Sequence, residues 1–198
     1  MKTITVSYDF WGTLFVSNPE YKTEQAKLAA KMFNIGAEAY LREKADKKRI
    51  LDAAVESTGL HYNRLKIYSL ILNTSKYGII EEFIKKSDDL FLELPPKKIN
   101  DFAPNAESVI SSNTVLIYGD TLQKVINKEF GKTHCNFSDK IGFSKPNPEM
   151  FRFVGLKASQ PMFHVGDNLR TDGACVKSGI KFIPIEEYHE FKNYLKYL

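Results

Sequence analysis

The sequence predicts an α/β protein in which a helical domain is inserted after the first strand of a parallel sheet. Two observations predict this class. Residues 1–17 and 100–198 alternate short β-rich runs with helical patterns, as chains with parallel sheets do. Residues 18–99 carry apolar positions at helical spacing and almost no strand pattern. We therefore expect a Rossmann-like three-layer core in the two outer segments and a helical cap domain over residues 18–99.

The first element is a strand, predicted at Thr3–Ser7, that ends beside an acidic residue. The chain continues as Tyr8-Asp9-Phe10-Trp11-Gly12-Thr13-Leu14. A carboxylate at the carboxyl end of a strand, followed by a tight turn, suits a nucleophile or a metal ligand in a strand-end crevice. Asp and Gly also favour turns by themselves, so Asp9 is equally compatible with a turn residue or a helix N-cap.

The block over residues 18–99 is predicted to form several amphipathic helices. Its apolar residues recur three or four positions apart, and the stripes are separated by Gly36, Gly59 and Gly78. The charged run from Arg42 to Arg49 mixes both signs, which is typical of a solvated helix face.

Four further strands are predicted at Val115–Tyr118, Lys140–Phe143, Met162–Val165 and Phe182–Ile185. Helical patterns lie between several of them, which favours parallel pairing through crossover connections. The last stretch, Tyr188–Leu198, is predicted to form a helix that packs on the sheet.

Two further acidic residues follow the fourth predicted strand. Asp167 comes directly after Gly166, where the strand should end, and Asp172 lies near the start of the next helix. If this strand neighbours the first one, the carboxylates of Asp9, Asp167 and Asp172 converge at one edge of the sheet. Carboxylates with room for water are the ligands that Mg²⁺ prefers. Asp172 alone is also explained as a helix-start residue that the helix dipole favours.

Between the acidic segments the chain carries Ser144-Lys145-Pro146-Asn147-Pro148. Pro146 disfavours helical backbone at Lys145, and Asn147 followed by Pro148 is typical of a helix start. A lysine fixed at such a turn could neutralise a phosphate and the nearby carboxylates, although most lysines in loops point into solvent.

In this order, the motifs resemble those of the haloacid dehalogenase superfamily. That superfamily has a nucleophilic Asp before Gly-Thr, a hydroxyl residue that ends the next core strand, a Lys usually followed by Pro, and a Gly-Asp…Asp pair. The matching residues here are Asp9 with Gly12-Thr13-Leu14, Lys145-Pro146, and Gly166-Asp167 with Asp172. The resemblance covers nearly the whole chain, and the helical block stands where the superfamily inserts its cap of the first type.

The resemblance implies a hydrolase of the phosphatase type that acts on a small phosphorylated metabolite. Asp9 is then expected to form an aspartyl-phosphate, and Lys145 to stabilise charge on the phosphoryl oxygens. The expected Mg²⁺ ligands are Asp9, Asp167, Asp172 and the backbone carbonyl of Trp11.

Two positions depart from the superfamily pattern. Its phosphatases carry a second Asp, as general acid and base, two residues after the nucleophile. This chain has Trp11 there, whose indole N–H does not titrate near neutral pH. The hydroxyl expected after the next core strand is replaced, in the predicted strand, by Tyr118. We therefore expect substrate to contact Trp11 and either Thr121 or the backbone N–H of Gly119.

Other chemistries stay open. Superfamily members with an aromatic Tyr at the Trp11 position include 2-haloacid dehalogenases, which use no metal, and those with Ala there include phosphonatases. A phosphonatase needs an imine-forming lysine in the cap, for which Lys22, Lys27 and Lys31 are candidates. A non-catalytic protein that binds a metal or a phosphorylated ligand is the third alternative.

Composition argues against several classes of partner. The net charge of +4 and the pI of about 8.9 favour an anionic small molecule, but the lysines are scattered and no nucleic-acid motif accompanies them. No apolar run approaches the roughly 20 residues that span a bilayer. Cys135 and Cys175 have no partners at metal spacing, which favours a reducing, cytoplasmic compartment. The expected assembly is a monomer or a homodimer.

Overall fold

The computed structural model describes residues 4–153 and 161–197. Within these ranges the strands are β1 (Thr5–Tyr8), β2 (Phe15–Val16), β3 (Lys97–Lys98), β4 (Glu107–Ser112), β5 (His134–Phe137), β6 (Phe163–Gly166) and β7 (Lys181–Pro184). The α-helices are α1 (Pro19–Phe33), α2 (Ala37–Thr58), α3 (Arg64–Ile71), α4 (Tyr77–Glu93), α5 (Gly119–Phe130), α6 (Ser138–Ile141) and α7 (Tyr188–Leu195).

Five strands form a parallel sheet in the order β5-β4-β1-β6-β7, with β1 at its centre. Every residue of β1 is buried, as expected of a central strand covered on both faces. On one face Tyr8 belongs to a hydrophobic cluster with Leu122 of α5 and Phe191 of α7. On the other face His164 packs edge-on against Phe151, with ring centroids 4.9 Å apart. The α/β class predicted from the sequence is confirmed.

Two of the predicted strands are wrong. The apolar run Val115–Tyr118 is irregular backbone, and the strand that precedes it is β4. The run Lys140–Phe143 lies after β5 and overlaps α6. The true strands contain polar residues, so their apolar pattern is weak. Ser111 in β4 is an example: it is fully buried, and its hydroxyl donates to the Met150 carbonyl oxygen at 2.7 Å. The three other predicted strands correspond to β1, β6 and β7.

The segment between β2 and β3 forms the helical block, which comprises α1 to α4. Its buried residues make a hydrophobic cluster of their own, in which Phe83 contacts the rings of Phe33, Tyr40 and Tyr68. Strands β2 and β3 pair antiparallel, so the chain enters and leaves the block at neighbouring points. We propose that this block is the cap domain expected from the sequence.

The helical block also touches the sheet-containing part of the chain beyond the β2–β3 pair. The Ser144 N–H donates to the Gly59 carbonyl oxygen at 2.8 Å, and His61 Nδ1 lies 3.1 Å from Ser138 Oγ. None of the helices in the described ranges is both long enough and apolar enough to cross a membrane.

Candidate active site

Three carboxylates meet at the carboxyl end of the central strands. Asp9 directly follows β1, Asp167 directly follows β6, and these two strands are neighbours in the sheet. Asp172 stands five residues after Asp167, immediately before a 3₁₀ segment at Gly173–Ser178. Ligand oxygens of the three side chains all lie within 4.8 Å of one another. The convergence expected from the sequence is therefore present in the structure.

Two glycines allow this close approach. Gly12 has a φ of +74°, and a Cβ added there would lie 2.1 Å from Oδ2 of Asp167. At Gly166, a Cβ would lie 2.5 Å from Oδ2 of Asp172. Any side chain at either position would push a carboxylate out of the cluster, because such contacts are far inside van der Waals distance.

Lys145 supplies the balancing positive charge inside the cluster. Its Nζ lies 2.5 Å from Oδ1 of Asp9 and 2.5 Å from Oδ1 of Asp172, and its side chain is 3% exposed. Asn113 fixes the backbone of this lysine, since its side-chain oxygen accepts from Lys145 N–H and its Nδ2 donates to the Lys145 carbonyl oxygen. The loop lysine predicted to neutralise the carboxylates does so, and it does not point into solvent.

The three carboxylates differ in pKa because their burial and their neighbouring charges differ. Burial raises the pKa of Asp9 to about 7, and the neighbouring Asp172 and Asp167 oppose the lowering effect of Lys145. Burial alone would also raise the pKa of Asp172, but Lys145 and the hydrogen bond from His164 hold it below its usual range. The pKa of Asp167 is raised by burial and by the charge of Asp172. Without a cation, Asp9 is therefore only partly ionised near neutral pH.

His164 positions Asp172. The imidazole is fully buried, with Nδ1 3.0 Å from the Ser7 hydroxyl and Nε2 3.2 Å from Oδ1 of Asp172. Burial lowers the pKa of His164, so the ring is neutral at pH 7 and can donate one N–H to the carboxylate. The second Asp172 oxygen accepts from the backbone N–H of Asn168 at 3.1 Å. His164 lies in an apolar run, which by itself favours a core histidine, and the structure adds this orienting contact.

A cavity of about 670 Å³ opens above the carboxylates. Its walls come from both parts of the chain: Asp9, Trp11 and Asn113 from the sheet side, and Tyr21 and Lys44 from the helical block. Ligands in open α/β sheets bind at this position, beyond the carboxyl ends of the strands.

Trp11 forms part of the cavity wall, as the sequence led us to expect. Its ring meets Phe10 edge-on at 4.7 Å and Phe91 at 6.2 Å between centroids. The indole thus occupies the place where a titratable side chain would otherwise face the cavity. The role of the Trp11 carbonyl as a metal ligand stays a prediction.

Gly119 and Thr121 are not among the residues that line this cavity. Both lie in the first turn of α5, where the Gly119 N–H donates to the carboxylate of Asp139. Because β4 ends at Ser112, the hydroxyl that ends the strand beside β1 is Ser112. Its Oγ is buried without a hydrogen-bond partner among the described residues, but Ser112, like Gly119 and Thr121, is not among the residues that line the cavity. The misplaced strand hid this residue from the sequence analysis.

The donor set fits a divalent cation. When ionised, the three carboxylates exceed the charge of the single lysine by two. Hard oxygen ligands of this number, beside an open cavity that can supply water, suit Mg²⁺. Asp9, Asp167 and Asp172 are the residues that could hold it.

Comparisons with known proteins were made by sequence and by structure. No family model and no curated protein matches the sequence. A proposed HAD-hydrolase, YfnB from Bacillus subtilis bound to magnesium, is 15% identical with a TM-score of 0.68, covering 92% of this chain and 88% of that one. A 2-haloacid dehalogenase from Pseudomonas syringae is 15% identical with a TM-score of 0.52, covering 91% and 85%.

A proposed phosphoglycolate phosphatase from Lactobacillus plantarum is 13% identical with a TM-score of 0.51, covering 93% of this chain and 87% of that one. The chain therefore has the fold of the haloacid dehalogenase-like proteins, with the parallel sheet and the inserted helices. The resemblance drawn from the motifs is confirmed at this level.

Proposed function

We propose that this chain is a Mg²⁺-dependent hydrolase of small phosphate monoesters that works through an aspartyl-phosphate on Asp9. The observation that carries the proposal is the cluster of buried Asp9, Asp172 and Lys145 with exposed Asp167 at the base of a cavity. The comparisons support the proposal through the shared fold, since proteins of that fold include a proposed phosphatase and a magnesium-bound hydrolase.

The nucleophile is the carboxylate of Asp9, which must be ionised to attack phosphorus and displace the ester oxygen. Lys145 stays protonated, because its two carboxylate partners outweigh burial and raise its pKa. Its charge faces the place where negative charge develops on the phosphoryl oxygens.

Asp9, Asp167 and Asp172 would hold the metal. When bound, Mg²⁺ offsets the charge between an anionic nucleophile and an anionic substrate. Loading the cluster also favours the ionised form of Asp9, because a ligand carboxylate binds the cation only without its proton.

Neither step of the reaction has the acid–base side chain that phosphatases of this superfamily carry at the position of Trp11. Trp11 cannot protonate a leaving group or activate the water that cleaves an acyl-phosphate. We therefore expect slow turnover, a preference for good leaving groups such as nitrophenol, and accumulation of the phosphorylated enzyme.

A panel of phosphate monoesters, assayed with and without Mg²⁺ and beside a 2-haloacid and a phosphonate, tests the proposal. Asp9→Asn should abolish phosphate release. Asp120→Asn is the matched control, because Asp120 is exposed and pairs with Lys140 outside the cavity. Wild-type protein that releases no phosphate, but dehalogenates a 2-haloacid without metal, would instead support the dehalogenase alternative that an aromatic Trp11 favours.

A further inference from the structure

We infer that Lys44 on α2, which lines the same cavity as Asp9, is a recognition site for a second anionic group of the substrate. The inference rests on the proposed function and names its substrate class: phosphate monoesters that also carry a carboxylate or a second phosphate.

Lys44 is a half-buried cation on the wall that the helical block contributes to the cavity. Its Nζ donates to the side-chain oxygen of Gln25, and no carboxylate of the described residues pairs with it. The ammonium group lies 5.9 Å and 5.8 Å from the ring centroids of Tyr21 and Tyr40. Burial, together with the charges of Lys22 and other nearby cations, lowers the pKa of Lys44 to about 8, so the side chain is still mostly charged at pH 7. A desolvated charge of this kind is costly unless an anion reaches it.

The surrounding residues hold Lys44 in place. Gln25 is fully buried, and its Nε2 donates to the hydroxyls of Tyr21 at 2.9 Å and Tyr68 at 3.3 Å. The amide oxygen of Gln25 is therefore directed at the lysine, and it satisfies one of the three ammonium donors. The remaining donors belong to a side chain that lines the cavity shared with Asp9.

Other charges on this wall do not replace the missing partner. Lys48 also lines the cavity but pairs with Asp52 at 2.5 Å, while Glu56 lies 3.6 Å from Arg170. Lys22 lines the same wall and adds further positive potential. Lys145 and the carboxylate cluster would account for the phosphate, and the positive charges of Lys44 and Lys22 are left to attract a second anion.

The sequence did not single out this residue. Of the cap lysines considered there, Lys27 pairs with Glu24 on an exposed surface and Lys31 is exposed. Lys44 lies inside the mixed-charge run that predicted a solvated helix face, but it is half-buried and lines the cavity. A run of mixed charges gives no signal for which of its members turns inward.

The test compares the binding of ω-phosphonocarboxylates of increasing chain length with alkylphosphonates of equal carbon number, by calorimetry in Mg²⁺. Wild-type protein should bind at least one phosphonocarboxylate on the order of tenfold more tightly than its uncharged counterpart. In Lys44→Met the ratio of the two dissociation constants should fall toward one. Lys44→Arg, which keeps the charge, should restore most of the ratio. Lys47→Met is the control, because Lys47 is on the same helix but does not line the cavity.

Each outcome decides the inference. No preference for a carboxylate at any chain length in wild type, or a preference that survives in Lys44→Met, overturns it; so does failure of every phosphonocarboxylate to bind. Thermal melting of both Lys44 variants shows whether a lost preference reflects lost folding. If Lys44→Met does not fold, a folded Lys44→Arg protein without the preference overturns the inference, and one that keeps the preference supports it. A Lys44-dependent preference in a protein that hydrolyses no phosphate ester would keep this inference and refute the proposed function.

Discussion

At the scale of single residues, protonation of Asp9 competes with metal binding. Burial raises the pKa of Asp9 to about 7, so the proton must leave before the carboxylate can act as a ligand. We predict that Mg²⁺ affinity falls as pH decreases below 7, by up to about tenfold per pH unit for one released proton. Calorimetry between pH 5.5 and 8 measures this, and the number of protons released should decline above pH 7.

The same experiment identifies the ligand set. Asp167→Asn should weaken Mg²⁺ binding at every pH, since it removes one of three clustered carboxylates. Equal affinity in wild type and Asp167→Asn would rule out the site, and pH-independent affinity would show that Asp9 is not a ligand.

Trp11 permits a gain-of-function test. Trp11→Asp should raise turnover of an alkyl phosphate, bounded by the roughly 10²–10⁴-fold value of a positioned acid–base group. The indole packs on Phe10 and Phe91, so its loss should also reduce the free energy of unfolding, by less than the ~3–5 kcal/mol of a fully buried Trp. Trp11→Phe, which removes the indole without adding an acid, is the control. A folded Trp11→Asp protein without any gain would show that another residue already serves as the acid–base.

At the scale of elements, one buried ion pair joins α3 to α4. Arg64, whose side chain is fully buried, makes two hydrogen bonds of 2.7 Å to the carboxylate of Asp88, and its guanidinium lies 4.4 Å from the ring centroid of Tyr118. We predict that Asp88→Ala lowers the free energy of unfolding by about 3–5 kcal/mol, because it leaves an unpaired buried charge. Asp89→Ala, at an exposed neighbouring position, should change it by less than about 0.5 kcal/mol. Urea denaturation measures both, and similar values for the two variants would contradict the prediction.

The elements also show where sequence patterns are insufficient. The predicted strand Val115–Tyr118 is more apolar than β4, yet β4 pairs in the sheet, and the hydroxyl of its buried Ser111 is satisfied by the Met150 carbonyl. That partner lies 39 residues away along the chain, and no local pattern reports it. Because the strand was misplaced, the hydroxyl expected at its end was sought near Thr121 and not at Ser112, where β4 ends.

At the scale of the whole molecule, the arrangement of the acids was predictable and the composition of the cavity was not. Parallel strands present their carboxyl ends at one edge, so Asp9 and Asp167 could be placed together from the order of elements alone. The opposite wall depends on how α2 packs against α1, and this packing turns Lys44 inward beside Gln25. Such tertiary contacts leave no periodic trace in a sequence.

Because the cavity has walls from both parts of the chain, a ligand that touches both must leave before they separate. The Ser144 N–H donates to Gly59 and the His61 N–H donates to Gly142, so both amides report on this separation. We predict that Mg²⁺ with a phosphonate ligand at 100 times its Kd slows hydrogen exchange at both amides by about 100-fold. The Tyr197 amide, which bonds only to Tyr194 at the end of α7, should exchange at an unchanged rate because its fraying is local. Unchanged exchange at Ser144 and His61, with the ligand shown to be bound, would place the binding site away from this cavity.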